Sequence, residues 1–133
     1  MSAERVLYLD SSAIVKLVVR EPESAALRAY LRRRRPLVSS ALARVEVVRA
    51  LLPLGQIAVR RGHEVLGRFE LVRINERILV AAGAMEPAEM RTLDAIHLAT
   101  VQQLEDDLAR IVTYDERMAA GARENGWPTI APA

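Results

Sequence analysis

The sequence predicts an α/β fold in which helices cover both faces of a mostly parallel sheet. Short apolar runs alternate along the chain with segments that have the pattern of helices, and turn residues separate them. No internal repeat, low-complexity tract or linker interrupts this alternation. With 133 residues, the chain is long enough to bury a proper core, and we expect residues 1–133 to form a single domain.

The predicted strands are short, β-prone runs that end at polar or turn residues. The first of them, VLYL, is apolar throughout, which is typical of a strand buried on both faces of a sheet. The run FELVRI alternates between apolar and polar residues, as a half-exposed strand does. In chain order the predicted strands are residues 6–9, 37–39, 69–74, 108–113 and 128–131, the last a short edge strand.

Start and stop signals define the predicted helices. Pro22 stands in the first turn of its helix, where proline is tolerated, and Ser39 or Ser40 can cap the helix after the second strand. Pro53 and Gly55 end that helix. In chain order the predicted helices are residues 12–19, 22–35, 41–52, 56–66, 75–82, 93–104 and 115–125.

Composition and charge restrict the possible functions. The absence of cysteine excludes disulfides, thiolate zinc sites and cysteine nucleophiles. No long uncharged run suggests a membrane span, and MSAERVLYLD lacks the features of a secretory signal, so we expect a cytoplasmic protein without membrane contact. Residues 1–73 carry a net charge of +7 and residues 74–133 a net charge of −5. The basic half indicates an anionic partner such as nucleic acid, unless both signs mix in the folded domain.

Four carboxylates are candidates for a functional site. Asp10 ends the first strand and Asp115 ends the fourth. Asp94 lies in the first turn of a helix, beside Thr92 as the expected cap. Because ligands gather outside the carboxyl ends of parallel strands, these three side chains can reach one edge of the sheet. Glu46 lies on an otherwise apolar helix surface, which is costly for a carboxylate without a partner.

Each carboxylate also has a purely structural interpretation. Asp10 and Asp115 are well placed to cap the helices that follow them, and the helix dipole would favour Asp94. Glu46 could pair with Arg49. These structural interpretations do not explain why the carboxylates converge at one edge of the sheet. Clustered carboxylates repel one another, and oxygen ligands favour Mg²⁺ or Mn²⁺, ions that can activate water and stabilise an oxyanion in phosphodiester cleavage.

The segments LDSSAIVKL, RVEVVRAL, TLDAIHLAT and VTYDERM, in this order and at these spacings, resemble the PIN-domain family, specifically its VapC-type toxin ribonucleases. The resemblance runs from residue 6 to about residue 132, although residues 53–91 contribute little to it. It implies a three-layer α/β/α sandwich with a mostly parallel, five-stranded sheet. It also implies an endoribonuclease that depends on Mg²⁺ or Mn²⁺.

The resemblance further implies the residues of the site and its partners. The family's catalytic and metal-binding acids correspond to Asp10, Glu46, Asp94 and Asp115. Its supporting hydroxyl residues correspond to Ser12 and Thr113. The implied partners are an RNA substrate, a cognate VapB-type antitoxin that covers the active site, and a second copy of the chain in a homodimer.

The sequence is also compatible with two other functions, that of a binding module and that of a phosphatase or phosphotransferase. A catalytically silent PIN-like module would hold RNA or a partner without cutting it, but such a binder has no need for Glu46 on an apolar surface. A phosphatase would use Asp10 as its nucleophile, but the haloacid dehalogenase pattern has a second aspartate two residues later, where this chain has Ser12. A receiver-type phospho-acceptor domain would need an acidic pair after its first strand, which is also absent.

Other polar residues are interpreted as structural. His97, one turn after Asp94, is expected to be a packed residue behind the site rather than a ligand, and His63 a surface residue. Arginines 32–35 could bind RNA phosphates, but they also stand at a helix end, where the dipole favours cations. Lys16, the only lysine, is expected to extend along its helix into solvent.

Overall fold

The computed structural model describes residues 5–34 and 36–133 of the chain. The strands of this part are β1 (Val6–Leu9), β2 (Leu37–Ser40), β3 (Glu70–Val72), β4 (Leu108–Val112) and β5 (Thr129–Ile130). The α-helices are α1 (Ser11–Val18), α2 (Ser24–Leu31), α3 (Ala43–Leu51), α4 (Gln56–Leu66), α5 (Glu76–Gly83), α6 (Thr92–Leu104) and α7 (Glu116–Glu124). Short 3₁₀ helices follow α3 and α6, at Leu52–Leu54 and Glu105–Asp107. No helix in these two ranges combines the length and the apolar composition that crossing a membrane requires.

The strands form one sheet in the order β3-β2-β1-β4-β5, and every neighbouring pair is parallel. The predicted mostly parallel sheet is therefore confirmed, and it is parallel throughout. The central strand β1 pairs with β2 through Leu7 opposite Leu37, and with β4 through Leu9 opposite Val112. Because all strands run in the same direction, the residues that follow them meet at one edge, which we name the carboxyl edge.

Apolar clusters cover both faces of the sheet. Successive side chains of a strand point to opposite faces. Leu7 and Leu9 accordingly join the cluster formed with α1, α2, α3 and α4, whereas Tyr8 joins the cluster that contains Leu98 of α6 and Met118 of α7. Burial on both faces explains why VLYL is apolar throughout, and the two helical layers around the sheet give the predicted three-layer sandwich.

The predicted helix over residues 22–35 is too long at both ends. The helix α2 begins only at Ser24, whose backbone N–H donates to the carbonyl of Glu21 in a turn before the helix. The helix ends at Leu31, Arg32 already has an extended ψ of 125°, and Arg33 follows with a φ of 65°. Arg35, the last residue of the predicted helix and of the arginine run, lies outside the described residues. The other predicted elements differ from the observed ones only at their ends.

Gly62 of α4 faces α3. A Cβ atom at this position would lie 2.4 Å from Cδ1 of Leu51, so a larger residue there would require the Leu51 side chain to move.

Candidate active site

Asp10 directly follows β1 at the carboxyl edge and is only 3% exposed. Its Oδ1 atom accepts hydrogen bonds from the Ser12 hydroxyl (2.6 Å) and from the backbone N–H of Ala13 (3.1 Å), and thereby caps α1. Its Oδ2 atom accepts a hydrogen bond from the Thr113 hydroxyl (2.5 Å). The predicted capping role is confirmed, but the contact with Thr113 and the deep burial go beyond what a helix cap requires.

Burial dominates the electrostatics of Asp10. It raises the pKa of this carboxyl above its ordinary value, because the charged form loses its hydration. The hydroxyls of Ser12 and Thr113, the nearby His97 and the N–H of Ala13 act in the opposite direction without cancelling the rise. An ionised Asp10 is therefore short of positive charge, and a cation at the carboxyl edge would stabilise it.

The two predicted supporting hydroxyls connect the ends of β1 and β4. The hydroxyl of Ser12 donates to Asp10 and accepts a hydrogen bond from the N–H of Tyr114 (3.0 Å). The hydroxyl of Thr113 likewise donates to Asp10 and accepts from the N–H of Asp115 (3.1 Å). Each hydroxyl thus donates its one proton to the carboxylate and accepts a hydrogen bond from a backbone N–H through a lone pair. Both residues orient Asp10 and hold the segment that carries Asp115.

Asp94 and Asp115 share one arginine. The Oδ1 atom of Asp115 caps α7 by accepting from the N–H groups of Arg117 (2.9 Å) and Met118 (3.3 Å), as predicted. Its Oδ2 atom accepts from Nη2 of Arg91 (3.0 Å), and Nε of the same guanidinium donates to Oδ2 of Asp94 (3.1 Å). The guanidinium of Arg91 therefore supplies the positive charge between these two aspartates.

Asp94 lies in the first turn of α6, as predicted, and is 8% exposed. The prediction that Thr92 caps this helix is wrong, because α6 begins at Thr92 itself. The cap position falls to Arg91, which makes no side-chain cap hydrogen bond. Its side chain instead pairs with Asp94 at a spacing of three residues, since an ion pair across the first turn is available there.

Glu46 reaches from α3 to residues of α1 and α6. Its Oε1 atom accepts hydrogen bonds from the Ser11 hydroxyl (2.6 Å) and from Nε2 of His97 (2.6 Å). Burial alone would raise the pKa of Glu46, but the hydrogen bonds from His97 and Ser11 outweigh it and the pKa lies below its ordinary value. The alternative pairing with Arg49 is not found among the ion pairs of the described residues. Since Ser11 directly follows Asp10, Glu46 belongs to the same edge.

His97 lies behind Glu46 and is 2% exposed. Its Nδ1 atom is 2.6 Å from the hydroxyl of Tyr8, which is completely buried. Burial, reinforced by the negative charge of Asp10, raises the pKa of Tyr8 well above its ordinary value, so the phenol keeps its proton and donates it to Nδ1. Nε2 of His97 in turn donates to Glu46, because a carboxylate can only accept. This chain of donors fixes the orientation of Glu46 and gives His97 the packed position expected from the sequence.

The four acids lie along one edge without enclosing a common point. Within residues 5–34 and 36–133, no three histidine, aspartate or glutamate side chains lie close enough together to hold a metal ion. Asp94 and Asp115 form one part of the edge with Arg91, and Asp10 and Glu46 form the other. The donor chemistry fits Mg²⁺ or Mn²⁺, because all four side chains offer carboxylate oxygens. An ion that joined both parts would have to replace the guanidinium of Arg91.

Three residues of the site were not predicted. Arg91 had a recognisable signal, since an arginine three residues before Asp94 can pair with it on a helix. Ser11 is one of two adjacent serines, and only the fold shows that it faces Glu46. Tyr8 lies 89 residues before His97 in the sequence, and no local pattern relates the two.

Comparisons with known proteins place the chain in a family. The family model described as PIN domain matches residues 7–124. Ribonuclease VapC46 of Mycobacterium tuberculosis is 58% identical to this chain, over 96% of this chain and 98% of that protein. Ribonuclease VapC47 of Mycobacterium tuberculosis is 36% identical, over 96% of this chain and 97% of that protein.

Solved structures show the same fold at lower identity. The crystal structure of VapC20 of Mycobacterium tuberculosis, a sarcin-ricin loop cleaving toxin, has a TM-score of 0.74 at 14% identity and covers 95% of this chain and 99% of its own. A toxin–antitoxin complex from Klebsiella pneumoniae has a TM-score of 0.73 at 20% identity, with coverages of 96% and 98%. These likenesses support the three-layer fold, while the family model and the 58% identity extend to the sequence itself. The chain therefore belongs to the PIN domain family, among the VapC-type ribonucleases.

Proposed function

We propose that this chain is a divalent-metal-dependent endoribonuclease that acts as the toxin of a VapBC-type toxin–antitoxin system. The observation that carries the proposal is the buried carboxylate of Asp10, which Thr113 connects to the backbone of Asp115, while the adjacent Ser11 donates to Glu46. Burial of this carboxylate is costly, and helix capping alone does not require it. Two relatives that are named ribonucleases, at 58% and 36% identity, support the same activity.

The proposed metal ligands and catalytic residues are Asp10, Glu46, Asp94 and Asp115. When bound, Mg²⁺ or Mn²⁺ would activate water and stabilise charge on the phosphate oxygens. The chain's own task is to hold the carboxylates in place before substrate arrives. Ser12 and Thr113 do this for Asp10, and His97 does it for Glu46.

Arg91 has two successive roles in this proposal. In the structure it neutralises Asp94 and Asp115, which would otherwise repel each other. Its side chain is 52% exposed, so it can leave these carboxylates without breaking the core. Once released, the guanidinium remains at the carboxyl edge, where its planar donors suit a phosphate of the RNA backbone.

Cleavage assays test the activity and the site together. Purified protein should cleave RNA in the presence of Mg²⁺ or Mn²⁺ and stop when EDTA is added. If each ligand contributes roughly 3 kcal/mol to transition-state stabilisation, its loss should slow cleavage by at least about 10²-fold. The variants are Asp10→Asn, Glu46→Gln, Asp94→Asn and Asp115→Asn, with Glu76→Gln, at an exposed position in α5, as the control. Undiminished cleavage by two or more of the four would contradict the proposed site.

A catalytically silent RNA- or partner-binding module is the second candidate. The position of Arg91 favours it, because an arginine between Asp94 and Asp115 completes the edge without any ion. Under this alternative, wild type and Asp10→Asn bind RNA equally and neither cleaves it. The phosphatase alternative has no comparable support, since both oxygens of Asp10 accept hydrogen bonds and the carboxylate is 3% exposed.

The biological role and the partners are part of the same proposal. We propose that residues 1–133 act as one cytoplasmic domain that forms a homodimer and binds a VapB-type antitoxin over the carboxyl edge. Expression without the antitoxin should arrest bacterial growth, and expression of Asp10→Asn should not. Gel filtration of the purified chain, alone and with the antitoxin, measures the two assemblies. Harmless expression of an active nuclease would remove the toxin role and leave the enzyme.

A further inference from the structure

A second charged feature lies between α1, α2 and α4. Two adjoining cavities there, of about 250 and 310 Å³, share Leu17, Arg28, Val65 and Arg68 among their lining residues and form one cleft. Apolar side chains that include Leu37 and Phe69 form its floor. We name it the arginine cleft after the five arginines that line it: Arg20, Arg28, Arg32, Arg61 and Arg68.

The arginine cleft carries an excess of positive charge among the described residues. Within residues 5–34 and 36–133, none of its five arginines takes part in an ion pair. Glu64 is the only acidic residue among the described residues that line it. Glu21 and Glu23, close in sequence to Arg20, are both bound to Lys16 instead. Exposed arginines that outnumber the nearby carboxylates repel one another, and a polyanion would relieve that repulsion.

The cleft lies near the opposite edge of the sheet from the acids, but within reach of them. Leu37, on its floor, begins β2 and pairs with Leu7 of β1. Strand β1 is buried, but α1 covers a similar distance with partly exposed residues: it begins at Ser11, beside Asp10, and reaches Leu17 of the cleft six residues later, about 9 Å along the helix axis. In stacked nucleic acid, where successive residues of one strand are about 3.4 Å apart, this distance spans roughly three nucleotides.

We propose that the arginine cleft binds the RNA substrate a few nucleotides away from the phosphate that is cleaved at the carboxyl edge. The inference rests on the proposed ribonuclease function and adds where the substrate is held. The arginines contact the backbone phosphates and form the kind of positively charged groove that single-strand binding sites use to follow a nucleic-acid backbone. An acidic protein partner would need the charges but would not explain the location in line with the acids.

This placement predicts a specific kinetic signature. The arginine cleft contacts a part of the RNA that does not react, so the same contact is present before and during cleavage. Loss of such a contact raises KM and leaves kcat unchanged. The increase in KM is expected only for RNA that is long enough to reach from Asp10 to the arginine cleft.

The test compares two double variants with the same change in charge. Arg28→Gln with Arg68→Gln removes the two arginines that line both cavities, and Arg60→Gln with Arg77→Gln removes two exposed arginines outside the cleft. Binding of a twelve-nucleotide RNA is measured in the Asp10→Asn background, where cleavage is blocked. We expect about tenfold weaker binding and a salt dependence reduced by roughly 1.4 in slope for the cleft variant, which is about 0.7 for each lost phosphate contact.

Two further measurements complete the test. In the active protein, the cleft variant should raise KM for the long RNA and leave a three-nucleotide RNA unaffected. The conservative pair Arg28→Lys with Arg68→Lys should restore most of the binding, because it keeps the charges. Equal melting temperatures of all double variants show that the fold is intact, as expected for exposed positions.

Several outcomes would overturn the proposal. If the cleft and control variants bind RNA equally, either both unimpaired or both weakened to the same extent, then no site exists at the cleft. If only binding of the antitoxin is lost, the cleft is a protein interface. If wild type cleaves no RNA but the cleft variant still loses binding, the cleft binds RNA, whereas the catalytic proposal fails and with it the placement of the cleft relative to a cleaved phosphate.

Discussion

The carboxyl edge and the arginine cleft both concentrate side chains of one charge, and they differ in how that charge is compensated. At the carboxyl edge Asp10 and Asp94 are buried and Glu46 and Asp115 half-buried, and each has a partner from the chain: hydroxyls for Asp10, Arg91 for Asp94 and Asp115, and His97 for Glu46. At the arginine cleft the guanidinium groups are exposed and no carboxylate of the described residues pairs with them.

Desolvation explains the difference. A buried carboxylate loses its hydration and must be compensated within the fold, whereas an exposed arginine keeps its water until a ligand arrives. The carboxyl edge is thus organised before substrate binds, as a site of chemistry requires. The arginine cleft remains available to an external polyanion. The predictions below test whether the two regions differ in this way.

Metal should stabilise the carboxyl edge and have no effect on the arginine cleft. Because the ion binds only the folded arrangement, a hundredfold excess over Kd should add about 2.7 kcal/mol to the free energy of unfolding. For a chain of this size, that corresponds to a rise in melting temperature of about 5–10 °C. Thermal melts with EDTA and with excess Mn²⁺ measure it. The rise should disappear in Asp10→Asn and persist in Arg28→Gln with Arg68→Gln. An unchanged melting temperature of wild type in Mn²⁺ would show that the acids do not form a metal site.

The buried chain of donors behind Glu46 should contribute to stability on its own. Tyr8→Phe removes the hydroxyl that donates to Nδ1 of His97 and leaves that nitrogen buried without a partner, at a cost of about 1–3 kcal/mol. Urea denaturation measures this loss. Tyr30→Phe, at a half-buried position whose hydroxyl has only a 3.5 Å contact with Arg110, is the matched control and should change stability by under about 0.5 kcal/mol. Equal losses in both variants would remove the special role of the Tyr8 hydroxyl.

The pH dependence of stability should reveal the raised pKa of Asp10. Since the folded state holds this proton more tightly than the unfolded state, the contribution of Asp10 is fully present below the unfolded pKa near 3.8. It is then lost as pH rises through the higher folded pKa. Without metal, the free energy of unfolding of wild type should therefore fall relative to that of Asp10→Asn as pH rises between these two pKa values. Above the folded pKa, the difference between the two proteins should stay constant. A constant difference between the two proteins from pH 3 to pH 7 would argue against the raised pKa.

The smallest effect is expected at Arg91. Without metal, Arg91→Gln should lower the melting temperature slightly, because Asp94 and Asp115 lose their shared cation. Addition of Mn²⁺ should raise the melting temperature of the variant more than that of wild type, since the ion no longer competes with a guanidinium. Arg77→Gln, on the exposed surface of α5, should show neither change. Tighter Mn²⁺ binding by wild type than by Arg91→Gln, measured by titration calorimetry, would mean that Arg91 assists the ion instead of competing with it.

Local chemistry explains which features were predictable. The run VLYL had to be buried on both faces because it has no polar side to expose, and this sets β1 at the centre of the sheet. Asp10 and Asp115 cap the helices that follow them, and both roles depend on a backbone N–H only two or three residues away. The alternation of strands and helices predicted the parallel sheet, because a crossover helix between parallel strands leaves few other arrangements.

Boundaries that depend on one backbone angle were not predictable. The arginine run has good helix propensity, yet α2 ends at Leu31, Arg33 has a positive φ, and β2 starts at Leu37. There a tertiary requirement prevails over a local preference. The predicted Thr92 cap was wrong for a different reason, because α6 begins one residue earlier than expected and the local contact at its start is the ion pair of Arg91 with Asp94.

The sequence by itself determined the fold class, the order of the elements and the placement of Asp10, Asp94 and Asp115 near the strand ends. These features depend on interactions between residues close in the chain, which a sequence displays directly. Only the tertiary structure decided that Tyr8, through His97, orients Glu46, and that Arg91 joins two aspartates. It also decided that arginines from α2 and α4 line one cleft. Such contacts join residues far apart in sequence, and they exist only because packing the two helical layers against the sheet brings those residues together.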